Sequence, residues 1–74
     1  MTDMTYDPGA DAVYIYVGAI REIDHQEEAG PFIYDVDTKG RIVGIEILSA
    51  SQVLAPGEWQ NARRPGAKNV DAAE

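Results

Sequence analysis

The sequence predicts an α+β fold that is mainly β, a small antiparallel sheet of about four strands with one short helix and a loose C-terminal tail. Three observations carry this prediction. Residues 12–17 (AVYIYV), 31–36 (PFIYDV) and 41–48 (RIVGIEIL) are rich in β-branched and aromatic side chains, which fit a pleated surface and crowd one another's χ1 rotamers in a helix. Asp7-Pro8-Gly9-Ala10 and Asp37-Thr38-Lys39-Gly40 supply turn chemistry between such runs. After Leu48 the pattern gives way to SASQVLAPG, where a serine opens and a Pro-Gly pair closes a short helical stretch.

Taken in order, the first strand spans about 3–6 and turns through Asp7–Ala10 into the second at 12–17. Alternation puts Val13, Ile15 and Val17 on one face and Ala12, Tyr14 and Tyr16 on the other. In residues 18–30, GAIREIDHQEEAG, a further short strand is expected at 19–23, followed by a polar connection. A helical turn over 24–29 would have almost nothing apolar to bury. Strands 31–36 and 41–48 then form a hairpin through a type I turn, with Gly40 left-handed at a bulge and the Asp37 carboxylate accepting nearby amides. Counting back from that turn sets Val36 opposite Ile42, Asp35 opposite Val43, Tyr34 opposite Gly44, Ile33 opposite Ile45 and Phe32 opposite Glu46. Gly44 would thus make room for the Tyr34 ring. A helix at 49–54, capped by Ser49 or Ser51, completes a single sheet domain over 1–55. Residues 56–74 read as a flexible or extended tail in which Trp59 alone has reason to fold back.

Size limits what this chain can bury. At 74 residues and 8.1 kDa, it forms one domain whose apolar burial and conformational entropy nearly cancel. The absence of cysteine removes disulfides and thiolate chemistry, and the single histidine, His25, removes a His-rich metal centre. Oligomerisation is the remaining supplement. In the expected register both hairpin faces carry apolar residues. One holds Ile33, Val43, Ile45 and Ile47 beside Asp35, the other Phe32, Tyr34, Val36 and Ile42 around Gly44 and Glu46. One short helix cannot cover both, so a homodimer or higher homo-oligomer is expected. Glu46 reads as a rim or edge carboxylate; if buried, its pKa would rise unless Arg21, Lys39 or Arg41 approached.

Charge narrows the partners. The formal net charge is -7, and residues 1–50 hold ten acids against three bases. Nucleic-acid binding needs a basic stripe, and Arg63, Arg64 and Lys68 form only a short cluster, so neither nucleic acid nor membrane is expected. No run reaches spanning length, and a cytoplasmic location is expected. Asp35 and Asp37 share strand parity and are the best carboxylate pair for a weakly held metal; Asp7 and Asp11 bracket the first turn. His25 lies among Asp24, Glu27 and Glu28, which would favour its protonated form. Ser49 and Ser51 lack a nucleophile elbow.

YDPGADAVYIYV followed by GPFIYDVDTKGRIVGIEILSAS resembles the small bacterial family known as domain of unknown function 2283 (DUF2283). Tyr6, Asp7, Asp11 and Tyr14 match its first segment. Asp35, Asp37, Gly40, Gly44, Ile45, Glu46, Ile47, Leu48 and Ser51 match its second, and the resemblance covers about residues 5–54. It implies a small mainly β or α+β domain and brings no activity, substrate or catalytic residue. Some relatives are similar to proteins encoded beside toxin-like partners. The functional expectation is a non-catalytic, self-associating small domain. The alternatives are an acidic, antitoxin-like module neutralising a basic protein partner, and a weak metal-dependent enzyme using Asp35 and Asp37. No catalytic, cofactor-binding or metal residue is assigned, and no cofactor is expected.

Overall fold

The structure, a computed structural model, describes residues 3–19 and 22–65. Five strands, β1 Asp3–Asp7, β2 Ala12–Tyr16, β3 His25–Ala29, β4 Phe32–Val36 and β5 Ile42–Ile47, are followed by a helix α1 at Ala50–Val53 and a 3-10 helix at Glu58–Asn61. The strands form one antiparallel sheet ordered β1-β2-β5-β4-β3. The expected sheet, short helix and both turns are therefore present. At the first turn Asp7 Oδ1 accepts the Gly9 amide at 3.0 Å. At the second, Gly40 takes φ 79° and Asp37 Oδ1 accepts the Lys39 and Arg41 amides, each at 2.9 Å.

The fifth strand is displaced from its expected place. Residues 20 and 21, the centre of the 19–23 expectation, lie outside the described residues, and 22–24 are not strand. Strand β3 instead occupies HQEEA, read from the sequence as a polar connection. Gly30 at φ 62° followed by Pro31, whose ring presets a negative φ, gives the two-residue type II′ pattern that joins β3 to β4. All five β3 residues are exposed, so backbone pairing to β4 holds the strand and no apolar alternation announces it.

The hairpin register slips by one residue. Val36 does pair with Ile42, but an irregularity between Asp35 and Val36 leaves Val43 as the extra residue, and beyond it Asp35 faces Gly44, Tyr34 faces Ile45, Ile33 faces Glu46 and Phe32 faces Ile47. Because side chains alternate, the slip moves Phe32, Ile33, Tyr34 and Asp35 to the opposite face relative to β5. The two faces consequently sort more cleanly than the sequence suggested. One carries the rows Tyr6–Val13–Ile47–Phe32 and Met4–Ile15–Ile45–Tyr34; the other carries Thr5–Tyr14–Glu46–Ile33 and Asp3–Tyr16–Gly44–Asp35–Gln26.

Helix α1 covers the first apolar row. Val13, Ile47 and Ala50 form its buried centre, with Tyr6, Phe32, Leu54 and Trp59 packed around them. Neither expected serine caps α1 in the expected way. Ser49 stands at the N-cap with φ 54° and makes no side-chain cap bond. Asp11, at φ 53°, takes that task from the other end of the chain. Its carbonyl accepts the Ala50 amide at 2.8 Å, and its carboxylate accepts the Ser51 amide at 3.0 Å and the Ser51 hydroxyl at 2.6 Å. Aspartate tolerates the left-handed region that this geometry requires.

Residues 56–65, expected to begin a loose tail, are instead folded onto the sheet. Trp59 meets the Tyr6 ring edge-on, 5.0 Å between centroids. Arg63 forms a parallel bridge to Thr5, its carbonyl accepts the Tyr6 amide at 2.9 Å, and its guanidinium pairs with Asp3. Arg63 thereby covers the outer edge of β1 at Thr5 and Tyr6.

Candidate functional site

The face away from α1 gathers the polar and aromatic side chains. Its rows place Tyr14 between Thr5 on β1 and Glu46 on β5, and Tyr16 between Asp3 and Gly44. The Tyr14 ring leans diagonally across the central strand. A Cβ built on Gly44 would stand 2.6 Å from the Tyr14 Cζ, far inside contact distance, so only glycine leaves the ring this position. A glycine does lie beneath a tyrosine, but the ring belongs to Tyr14 on β2 and not to the expected Tyr34, whose side chain the register slip turns to the other face.

Across Gly44 the Tyr14 hydroxyl donates to Asp35 Oδ2, and Gln26 Nε2 donates to Asp35 Oδ1 at 2.7 Å. Asp35 is 4% exposed, and both its oxygens are occupied as a buried carboxylate requires. Burial, and then the bond to Asp35, hold the Tyr14 hydroxyl well above the ordinary phenol range. Tyr14 is therefore a fixed proton donor at neutral pH and a poor general base. Tyr16 packs against it, 4.7 Å between centroids with the planes at 67°.

Asp37 belongs to a different arrangement. Its carboxylate is held below the usual range by the Arg41 amide first, then by the Lys39 amide and the Arg41 guanidinium, against the opposing effect of burial; Arg41 Nε lies 2.9 Å from Oδ2. Asp35 and Asp37 thus have separate partner sets. Among the described residues no group of three or more His, Cys, Asp or Glu side chains is placed to hold a metal ion. Asp7 and Asp11 are turn and cap acceptors, and Ser51 donates to Asp11. The His25 ring lies 2.8 Å from Asp24 and 3.0 Å from Glu27, and these contacts raise its pKa, Asp24 contributing most.

Glu46 is half-buried between Tyr14 and Ile33. Among the described residues it makes no ion pair: Arg41 is engaged with Asp37 and Arg63 with Asp3. Arg21, another of the cations considered for it, lies outside the described residues. The Tyr14–Asp35–Gln26 chain was not visible as a unit in the sequence. Its members come from three strands, and only the correct register aligns them.

A family model described as "Protein of unknown function (DUF2283)" matches residues 3–51. No curated protein and no solved structure matches the chain. Among the described residues no helix is long and apolar enough to cross a membrane.

Proposed function

The chain belongs to the DUF2283 family, and from that premise we propose that it is a non-catalytic, self-associating module of the cytoplasm, its copies meeting over the part of the apolar face that α1 leaves open. The observation that carries this reading is the incomplete cover of that face. A four-residue helix spans a single turn, and of the second apolar row Met4, Ile15, Ile45 and Tyr34 are all only half-buried. At the end of the sheet beyond them Val17 is 53% and Ile42 46% exposed. The buried core among the described residues contains no apolar side chain larger than isoleucine. A second copy laid on this surface would add the burial that a 74-residue chain lacks, and an interface totalling about 1,200–2,000 Å² would be of ordinary size.

Non-catalysis is supported by the engagement of Asp7, Asp11, Asp35 and Asp37 in turns, a cap and the Tyr14 bond. Sedimentation equilibrium at 10–100 micromolar should return at least about twice the chain mass. The Val17→Lys/Ile42→Lys double variant, which alters exposed positions only, should return the single-chain mass with its fold intact. A native chain that sediments as a monomer throughout that range would overturn the reading.

One feature favours a second reading, the acidic module for a basic partner. Strand β3 lies at the open edge of the sheet and presents Glu27 and Glu28 on a fully exposed strand. Such an edge resists pairing with a copy of itself and suits a basic extended segment. Pull-down at low and high salt distinguishes it, since a capture driven by rim charges is lost as screening rises.

A further inference from the structure

The open surface beside the Tyr14 row has a chemistry that the self-association reading does not use. A cavity of about 430 Å³ lies there, its lining including Thr5, Asp7, Tyr14, Tyr16 and Glu46 together with the apolar Ala12, Ile23 and Pro65. This volume is within the range of small-molecule sites. Two aromatic rings and two carboxylates, Asp7 and Glu46, line the same space; Asp7 is engaged through Oδ1 with the Gly9 and Ala10 amides, and much of the remaining wall is apolar. Glu46 has given up part of its hydration without gaining a hydrogen bond or ion pair among the described residues. The other charges nearby are already used. Asp35 is held by Tyr14 and Gln26, the Arg63 guanidinium is paired with Asp3, and Asp7 accepts turn amides.

We propose that this cavity binds a guanidinium group on a short apolar stem, with Glu46 as its counter-ion and the Tyr14–Tyr16 pair as its aromatic wall. A planar, weakly hydrated guanidinium can place two parallel N–H groups on a carboxylate while its face rests on a ring. A ring face attracts a cation, and the steeply inclined setting of the tyrosines, 67° between planes, offers a face beside an edge. Ala12, Ile23 and Pro65 suit the methylenes of the stem. The chain's net charge of -7 raises the local concentration of any cation. An arginine side chain of another protein and a free small guanidine share this chemistry.

The test is an amide chemical-shift titration with ethylguanidinium, run against ethylurea, a neutral molecule of similar shape, and against butylammonium. It is run on the native chain and on Arg21→Gln, so that a guanidinium of the chain's own cannot mask the site. Saturable shifts at Thr5, Ala12, Tyr14 and Glu46 are expected with ethylguanidinium, with none from ethylurea and at least tenfold weaker binding in Glu46→Gln. A thermal melt checks that Glu46→Gln is folded; if it is not, Tyr16→Leu, which removes one aromatic wall, should weaken binding at least threefold. Absence of saturable shifts in both backgrounds overturns the proposal. So does an equal response to ethylurea, an unchanged affinity in a folded Glu46→Gln, or butylammonium binding as tightly as ethylguanidinium. Titration with N-acetylarginine N-methylamide then separates the sources: tighter binding than ethylguanidinium assigns the site to a protein side chain, weaker binding to a free guanidine.

Discussion

Substituting Gly44→Ala tests the packing of the polar face at its centre. The backbone there is outside the left-handed region, so alanine can adopt it, and a less flexible unfolded chain would by itself stabilise by about 0.4–1 kcal/mol. The added methyl, however, would stand 2.6 Å from the Tyr14 Cζ. Either the strand shifts or the ring leaves. Overpacking costs about 1–3 kcal/mol, and losing the hydroxyl bond to the buried Asp35 carboxylate costs about 1.5–3 kcal/mol more. The net loss is about 2–5 kcal/mol, a large part of the roughly 4–11 kcal/mol expected for a domain of this length. Thermal melting followed by circular dichroism should show Tm lowered by at least about 10 °C. The decisive measurement is the same substitution in a Tyr14→Ala background, where the obstructing ring is gone. There Gly44→Ala should change stability by less than about 0.5 kcal/mol or raise it. Equal losses in both backgrounds would refute the account of why this position is glycine.

Other predictions concern the ends of the chain and its titrating groups. Asp11→Ala removes the acceptor for the Ser51 amide and hydroxyl and should lower Tm by about 4–8 °C, the change a lost cap typically produces in a domain this small. Asp11 and Asp37 have lowered pKa values, Asp11 chiefly through the Ser51 hydroxyl and Asp37 through the Arg41 amide. Their contributions are therefore present above the unfolded carboxylate pKa, near 4, and lost as pH falls through the lower folded values, which urea midpoints between pH 5 and pH 2 should register. For His25 the sign reverses. Its raised pKa makes the Asp24 and Glu27 contacts stabilising below about pH 6.5 and progressively weaker as pH rises through the folded value; His25→Gln should remove that slope. Trp59→Ala should cost about 2 kcal/mol in urea unfolding, because the ring covers part of the core and meets Tyr6 edge-on.

Much of the sheet was legible because its determinants are local. Asp7 to Ala10 and Asp37 to Gly40 each state a turn in four residues, and Val13, Ile15 and Ile47 state a pleated, apolar surface. What was not legible depends on pairing. The extra residue at Val43 is one branched side chain among several, yet it decides that Tyr34 faces the core and Ile33 does not. Strand β3 has no apolar period because neither of its faces is buried, and only Gly30-Pro31 hinted at a hairpin. The cap on α1 comes from Asp11, 40 residues away in sequence. Self-association survives as a reading, but on a different footing: the polar face holds Asp35, Glu46 and two phenols, and the uncovered apolar surface lies beside α1.

The family match ends at residue 51, whereas Trp59 packs against the core and Arg63 bridges the rim of β1 at Thr5. In this protein two tasks that any small sheet must solve, a lid for the interior and a guard for a raw border, thus fall to residues beyond the shared segment. Relatives whose sequences diverge there must solve both by other means, and such differences would alter which border is left to meet a neighbour. Comparisons within the family should accordingly follow the chain past its common part, because the choice of companion can change there while the shared sheet stays the same.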